Sequence, residues 1–200
     1  REFYFQVLWH APHVLEQEYG VAYRGLPWTR DPAALERWCH GQTGFPIVDA
    51  GMRQLLSTGF MHNRVRMITA MFLTKDLHQD WRAGEQWFMQ RLLDGEIASN
   101  NGGWQWSAGS GTDAQPYFRI FNPITQSEKF DAEGKFIKKY LPQLSKLSKK
   151  AIHAPWLAGD IELDLAGVRL GRDYPPPIVQ HDEARKNTLI RYAVVKKETA

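Results

Sequence analysis

Seven consecutive residues, Asn100-Asn101-Gly102-Gly103-Trp104-Gln105-Trp106, bring two amides, two glycines and two tryptophans together. Each Asn side chain donates and accepts hydrogen bonds, glycine lets another group approach the backbone, and an indole offers a broad stacking face. This predicts the wall of a pocket for something flat; a Gly-rich turn with two packed tryptophans is the competing reading. His62, beside Asn63 and Arg64, could act as an acid or base. No Ser, Cys or carboxylate partner stands at fixed spacing from it, so a buried, hydrogen-bonded histidine is expected. Gly109-Ser110-Gly111-Thr112-Asp113-Ala114 has the spacing of a dinucleotide fingerprint. No strand precedes it, and Pro116 blocks the helix that would hold a pyrophosphate. Lys138, Lys139, Lys146, Lys149 and Lys150 could track phosphates, but a solvated face is expected of such a run.

Helices must position these groups. Asp31 as cap, Pro32 and the run to His40 before Gly41 read as one helix. Residues Pro46–Ser57, bounded by Gly59, form a second, and His62–Leu77, apolar at 65, 68, 69, 72 and 73, a third. Another opens at Asp80 or Gly84 and runs to Leu93; a last one runs from Asp182 to about Lys196. Residues Ser107–Asp131 read as a long ordered loop of the functional kind, and 145–180 as irregular chain wrapping the surface. Alternating strand patterns are absent, which predicts an all-α fold.

The 200 residues suit one domain or a large piece of one. A net charge of +3 leans only slightly toward an anionic partner. The lone cysteine, Cys39, excludes an internal disulfide and a multi-thiolate metal site; no metal is expected. No apolar run approaches the roughly 20 residues of a membrane span, so a soluble, intracellular (cytoplasmic) protein without membrane contact is expected; separately, a monomer is expected.

Further segments carry a resemblance: Gly41–Ala50 (GQTGFPIVDA), Met52–Leu55 (MRQL), Met61–Met67 (MHNRVRM) and Asp94-Gly95-Glu96. After the Trp pair come Gly111-Thr112-Asp113, Pro116–Pro123 (PYFRIFNP) and Gln126–Phe130 (QSEKF). In this order, to about Tyr192, they resemble the FAD-binding domain of the DNA photolyase/cryptochrome family, closest to class I cyclobutane pyrimidine dimer (deoxyribodipyrimidine) photolyases. The resemblance implies a multi-helical flavin domain with long ordered loops, of which residues 1–200 are the C-terminal part. Arg1-Glu2-Phe3-Tyr4-Phe5 would then continue a helix begun upstream. The upstream α/β antenna domain, with its folate or deazaflavin pigment, and the FAD phosphate-binding segment would be absent here.

It also implies light-driven repair of UV-damaged DNA, in which reduced FAD passes an electron to a flipped-out pyrimidine dimer. Asn100 matches the position facing the flavin N5, where plant cryptochromes typically carry Asp. Arg66 and Asp94 match a pair beside the isoalloxazine, with Gly95 and Glu96 at its rim, where Asp is often seen instead of Glu. Arg1 and Tyr4 match a segment near flavin and DNA. Asn63, Arg64, Met67 and Trp106 match lesion-facing residues, and Gln126, Arg119 and Lys129 the DNA side. Trp28, Trp81 and Trp104 match a three-tryptophan electron chain; by sequence alone each reads as core packing. Phe60 stands where relatives usually have Trp. The competing functions are a cryptochrome-like blue-light receptor and a cofactor-free helical DNA-binding module.

Overall fold

The computed structural model describes residues 2–112 and 118–197, with side chains through residue 193. The helices are α1 (Glu2–His10), α2 (Pro32–Cys39), α3 (Pro46–Thr58), α4 (Asn63–Met71), α5 (Trp81–Met89), α6 (Ile97–Ala108), α7 (Pro123–Phe130), α8 (Lys135–Tyr140), α9 (Asp160–Ala166) and α10 (His181–Lys197). Among the described residues there is no strand, only isolated bridges such as Thr29 with Gln79. The all-α expectation holds.

Two compact units divide the chain. In the first, residues 1–31, 70–120 and 181–200, α5 lies along α6, and α1 with the 3-10 turn Pro12–Leu15 joins them. Helix α4 runs on into a π-helical segment, Phe72–Asp76, whose five residues are all buried. Lys75 is 1% exposed there; its Nζ donates to the Ala108 carbonyl at 2.7 Å and stands 3.6 Å from the Tyr192 ring centroid. Burial holds this ammonium well below the usual lysine range. The Thr188 hydroxyl donates to the Lys75 carbonyl, so His78 Nε2, 2.9 Å from it, must be the donor of their bond. Asp76 and His181 close the seam between segment and α10.

The second unit comprises residues 32–69 and 121–180. Helix α3 starts at Pro46 and stops at Gly59, whose left-handed φ of 66° suits glycine. Gly51 lets α4 close in, since a methyl there would lie 2.4 Å from Val65 Cγ1. Asp49 is fully buried and gathers four donors: Thr43 N (2.7 Å), Thr43 Oγ1 (2.6 Å), Gly44 N (3.0 Å) and Tyr174 Oη (2.6 Å). One carboxylate thereby ties the start of α3 to chain more than a hundred residues on.

Several expectations need correction. Asn100–Trp106 is the middle of α6, so the turn reading fails; the Glu96 carboxylate accepts from Ala98 N (2.7 Å) and Ser99 N (2.8 Å) to begin a helix that glycines did not advertise. The supposed loop 107–131 contains the end of α6 and all of α7, capped by Asn122, while its residues 113–117, including Asp113, Pro116 and Tyr117, lie outside the described residues. The stretch 145–180 contains α9 and buries Leu147, Ile152, His153 and Tyr174. It supplies core instead of merely wrapping the surface. His62 is exposed, not buried, though its Nδ1 accepts from Arg64 N at 3.1 Å. The lysines at 139, 146, 149 and 150 are exposed and Lys138 is half-buried, in keeping with a solvated face.

Candidate functional site

In the first unit α6 sorts its polar residues by partner. Asn101 Nδ2 donates to the Val14 carbonyl (2.9 Å) and Glu85 Oε1 (3.0 Å). Gln105 Nε2 donates to the same Val14 carbonyl (2.9 Å), and its Oε1 accepts from Tyr19 N (2.8 Å). Both amides are thus consumed in holding the chain between α1 and residue 20. Half-buried Asn100 differs: its Nδ2 is fixed on the Glu85 carbonyl at 3.0 Å, and its Oδ1 accepts no hydrogen bond from the described residues. The result is a neutral acceptor on a clamped amide. Burial raises the Glu85 carboxyl pKa despite the Asn101 bond.

The two glycines serve different ends. A methyl on Gly102 would meet Tyr4 Cδ1 at 2.1 Å, so this glycine lets the Tyr4 ring lie on α6. Gly103 meets nothing within 4 Å. Trp104 is buried and sits on Gly84 of α5, edge-on to Phe88 with ring centroids 5.0 Å apart. Trp81, Gly84 and Phe88 follow i, i+3, i+7 spacing and form the buried face of α5. Trp28 is half-buried. Its Nε1 and that of Trp81 both donate to Glu18 Oε1, each at 3.2 Å.

Arg82 completes this cluster. Its Nη2 pairs with Glu18 Oε2 and its Nη1 with Asp80 Oδ1, both at 3.0 Å, while the guanidinium carbon stands 4.6 Å from the Trp81 ring centroid. Burial raises the Glu18 pKa, but the hydrogen bonds from Arg82 and Trp28 outweigh it and leave the carboxyl below its ordinary value. Asp94 and Gly95 are exposed, and Glu96 serves as the cap of α6. Trp106 is half-buried, Arg119 exposed, and Arg1 lies outside the described residues.

The second unit holds the other expected residues. On α4, Asn63 Nδ2 lies 3.9 Å from Met67 Sδ, one turn apart. The Arg64 guanidinium stacks 4.3 Å from the Phe130 centroid and 5.9 Å from that of Phe121, which brings α4 and the start and end of α7 together. Arg66 Nε donates to the Met61 carbonyl at 2.6 Å, and its guanidinium stands 5.7 Å from the Phe60 ring. Gln126 on α7 keeps a buried Oε1 without a hydrogen-bond partner, and Lys129 is exposed beside Phe130.

Glu18, Glu85 and Arg82 escaped the sequence reading. A lone carboxylate in an irregular segment has no periodicity or spacing to mark it, and contacts across 63 and 64 residues carry no local signal. Among the described residues no cluster of His, Cys, Asp and Glu could hold a metal ion, and no helix is long and apolar enough to cross a membrane.

A family profile described as the FAD binding domain of DNA photolyase matches residues 1–194. Deoxyribodipyrimidine photo-lyase of Escherichia coli is 54% identical over 198 residues, 98% of this chain and 41% of that protein. The Agrobacterium fabrum one is 51% identical over all of this chain and 42% of its own length. The chain spans about two-fifths of the curated relatives it matches. Among solved structures, a class III photolyase from Agrobacterium tumefaciens superposes with a TM-score of 0.96 at 51% identity, covering 98% of this chain and 41% of that one. A cryptochrome from Synechocystis does so with 0.90 at 40% identity, over 95% and 39%. With a profile spanning nearly the whole sequence and relatives above half identity, the chain belongs to the DNA photolyase family, in its FAD-binding domain.

Proposed function

We propose that this chain is the C-terminal part of the FAD-binding domain of a photolyase that uses light to repair cyclobutane pyrimidine dimers in DNA. The observation that carries the reading is Asn100: its donor is committed to the Glu85 carbonyl, and its oxygen is left as a neutral acceptor. A reduced flavin is anionic, and an amide meets its N5 edge without the repulsion a carboxylate would bring. The arrangement therefore fits an isoalloxazine. Resemblance alone assigns Arg66, Asp94, Gly95, Glu96 and Arg1 to FAD.

When bound, FAD supplies the light-absorbing redox centre that donates an electron to the dimer. The protein's own groups receive and orient the lesion. Asn63 and Met67 form one short edge of α4, Arg64 is stiffened between Phe121 and Phe130, and Gln126 brings an unused amide oxygen. Trp106 would stack on the dimer, while Tyr4, Arg119 and Lys129 would contact DNA. Trp28, Trp81 and Trp104 would pass an electron inward to restore the reduced state.

Similarity to a cryptochrome at 40% identity favours a second reading, a blue-light receptor without repair. A thymine-dimer oligonucleotide incubated with the flavin-loaded, reduced protein separates the two. Loss of the lesion under blue light and not in the dark is expected. Persistence of the lesion under illumination would overturn repair.

A further inference from the structure

Two of the three tryptophans share one hydrogen-bond acceptor. Glu18 is 3% exposed, and its Oε1 receives the N–H of Trp28 and of Trp81, each at 3.2 Å. Its other oxygen holds Arg82 at 3.0 Å, and that guanidinium stands over the Trp81 ring at 4.6 Å. Among the described residues no cation lies over the Trp28 ring.

An indole that has lost an electron carries a positive charge spread over its ring and N–H. A buried carboxylate at hydrogen-bond distance stabilises that charge far more than water-screened charges do. A guanidinium over the ring face does the opposite, because the ring it attracts when neutral repels it when oxidised. Trp28 therefore feels the carboxylate, with the Arg191 guanidinium bonded to its neighbours Pro27 and Thr29 and not over its ring, whereas Trp81 feels the carboxylate and a cation over its ring face together.

We propose that Glu18 is a positioning and charge-stabilising residue of the tryptophan chain: it holds Trp28 and Trp81 in one fork and stabilises an electron vacancy on either ring, while Arg82 over the Trp81 ring biases that vacancy outward from Trp81 to Trp28. In this step Trp28 gives one electron to oxidised Trp81; Trp81 returns to the neutral indole and Trp28 becomes the radical cation. The oxidant that starts the sequence is photoexcited, oxidised flavin acting through Trp104. Arg82 keeps Glu18 ionised, so the carboxylate acts as a fixed charge and the N–H protons stay on the indoles.

The inference rests on the electron-chain reading, and the variants separate the two. In the flavin-loaded protein, Glu18→Gln keeps the shape and an acceptor oxygen but removes the charge; it lowers the flash yield of long-lived tryptophan radical roughly fivefold or more. Glu18→Asp, which keeps the charge, retains at least about half the yield. Repair by chemically reduced protein is unchanged in both, which also reports correct folding. Without flavin, Glu18→Gln shifts the indole 1H–15N resonances of both Trp28 and Trp81 and leaves that of exposed Trp9 in place. If Trp28→Phe abolishes photoreduction while Glu18→Gln matches wild type, the role of Glu18 is overturned and the chain stands. If Trp28→Phe and Trp81→Phe both leave photoreduction intact, the chain reading falls and this inference with it.

Discussion

Gly84→Ala is a demanding test of how Trp104 is held. The added methyl would lie 2.1 Å from Trp104 Cη2, 2.4 Å from Cζ3 and 2.6 Å from Leu73 Cδ2. Carbon atoms pack at about 3.5–4.0 Å, so the overlap is about 1 Å or more at three points. The indole has little room to move, because it is buried and Phe88, one turn along the same face of α5, stands edge-on to it with ring centroids 5.0 Å apart. Overpacking of this kind costs about 1–3 kcal/mol, while replacing a mid-helix glycine returns about 0.5–1 kcal/mol. The net expectation is a loss of roughly 1–2 kcal/mol. For a domain of this size that lowers Tm by about 2–8 °C. Gly103→Ala is the internal control: it is helical and exposed, with nothing within 4 Å, and should raise stability by about 0.5–1 kcal/mol. Thermal unfolding followed by circular dichroism reads both. Equal stabilisation by the two substitutions would show that Trp104 is not packed against α5 as described.

Asp49→Asn turns one acceptor of a four-donor cluster into a donor and should cost about 1–3 kcal/mol in urea unfolding; a loss below about 0.5 kcal/mol would refute its role as the tie of the second unit. Burial, with Arg191 and Lys75 nearby, lowers the His78 pKa from 6.5 to about 4, so between those values the unfolded chain binds the proton that the folded one refuses. Stability is complete above pH 6.5 and is lost as pH falls toward 4, by up to about 1.4 kcal/mol per unit from this group. His78→Asn, tolerated at its φ of 54°, should flatten that part of the pH profile, and a profile parallel to wild type would count against it. Asn100→Asp removes the donor to the Glu85 carbonyl and, if Asn100 faces the flavin as proposed, adds charge at the flavin edge. A lower reduction potential of bound flavin is expected in a spectroelectrochemical titration, and an unchanged one would remove Asn100 from N5.

The helices with ordinary punctuation were legible in the sequence. Pro46 and Gly59 bracket α3 as expected, and the apolar spacing of His62–Leu77 matches α4 with its π extension. Helix α6 was not legible, because its amides and glycines resemble a turn; its cause is the cap by Glu96, a residue outside the usual Ser/Thr/Asp/Asn capping set, and the sequence-distant partners of Asn101 and Gln105. The site residues came from whole motifs matching a family. What the motifs left out is the tertiary support: Glu18 reaches Trp28 across 10 residues and Trp81 across 63.

The π-helical segment also governs which changes of length this chain can survive. Each residue of a helix turns the next by about 100°, so removing one position from Phe72–Asp76 would restore an ordinary helix while re-aiming every group beyond the cut. Lys75 would lose the Ala108 carbonyl, Asp76 would lose His181, and the Lys75 carbonyl would lose Thr188. The extra residue is therefore not slack. Across descendants of this sequence, insertions and deletions should collect in exposed turns such as the one around Gly159 and be purged from this segment, even where substitutions within it are tolerated.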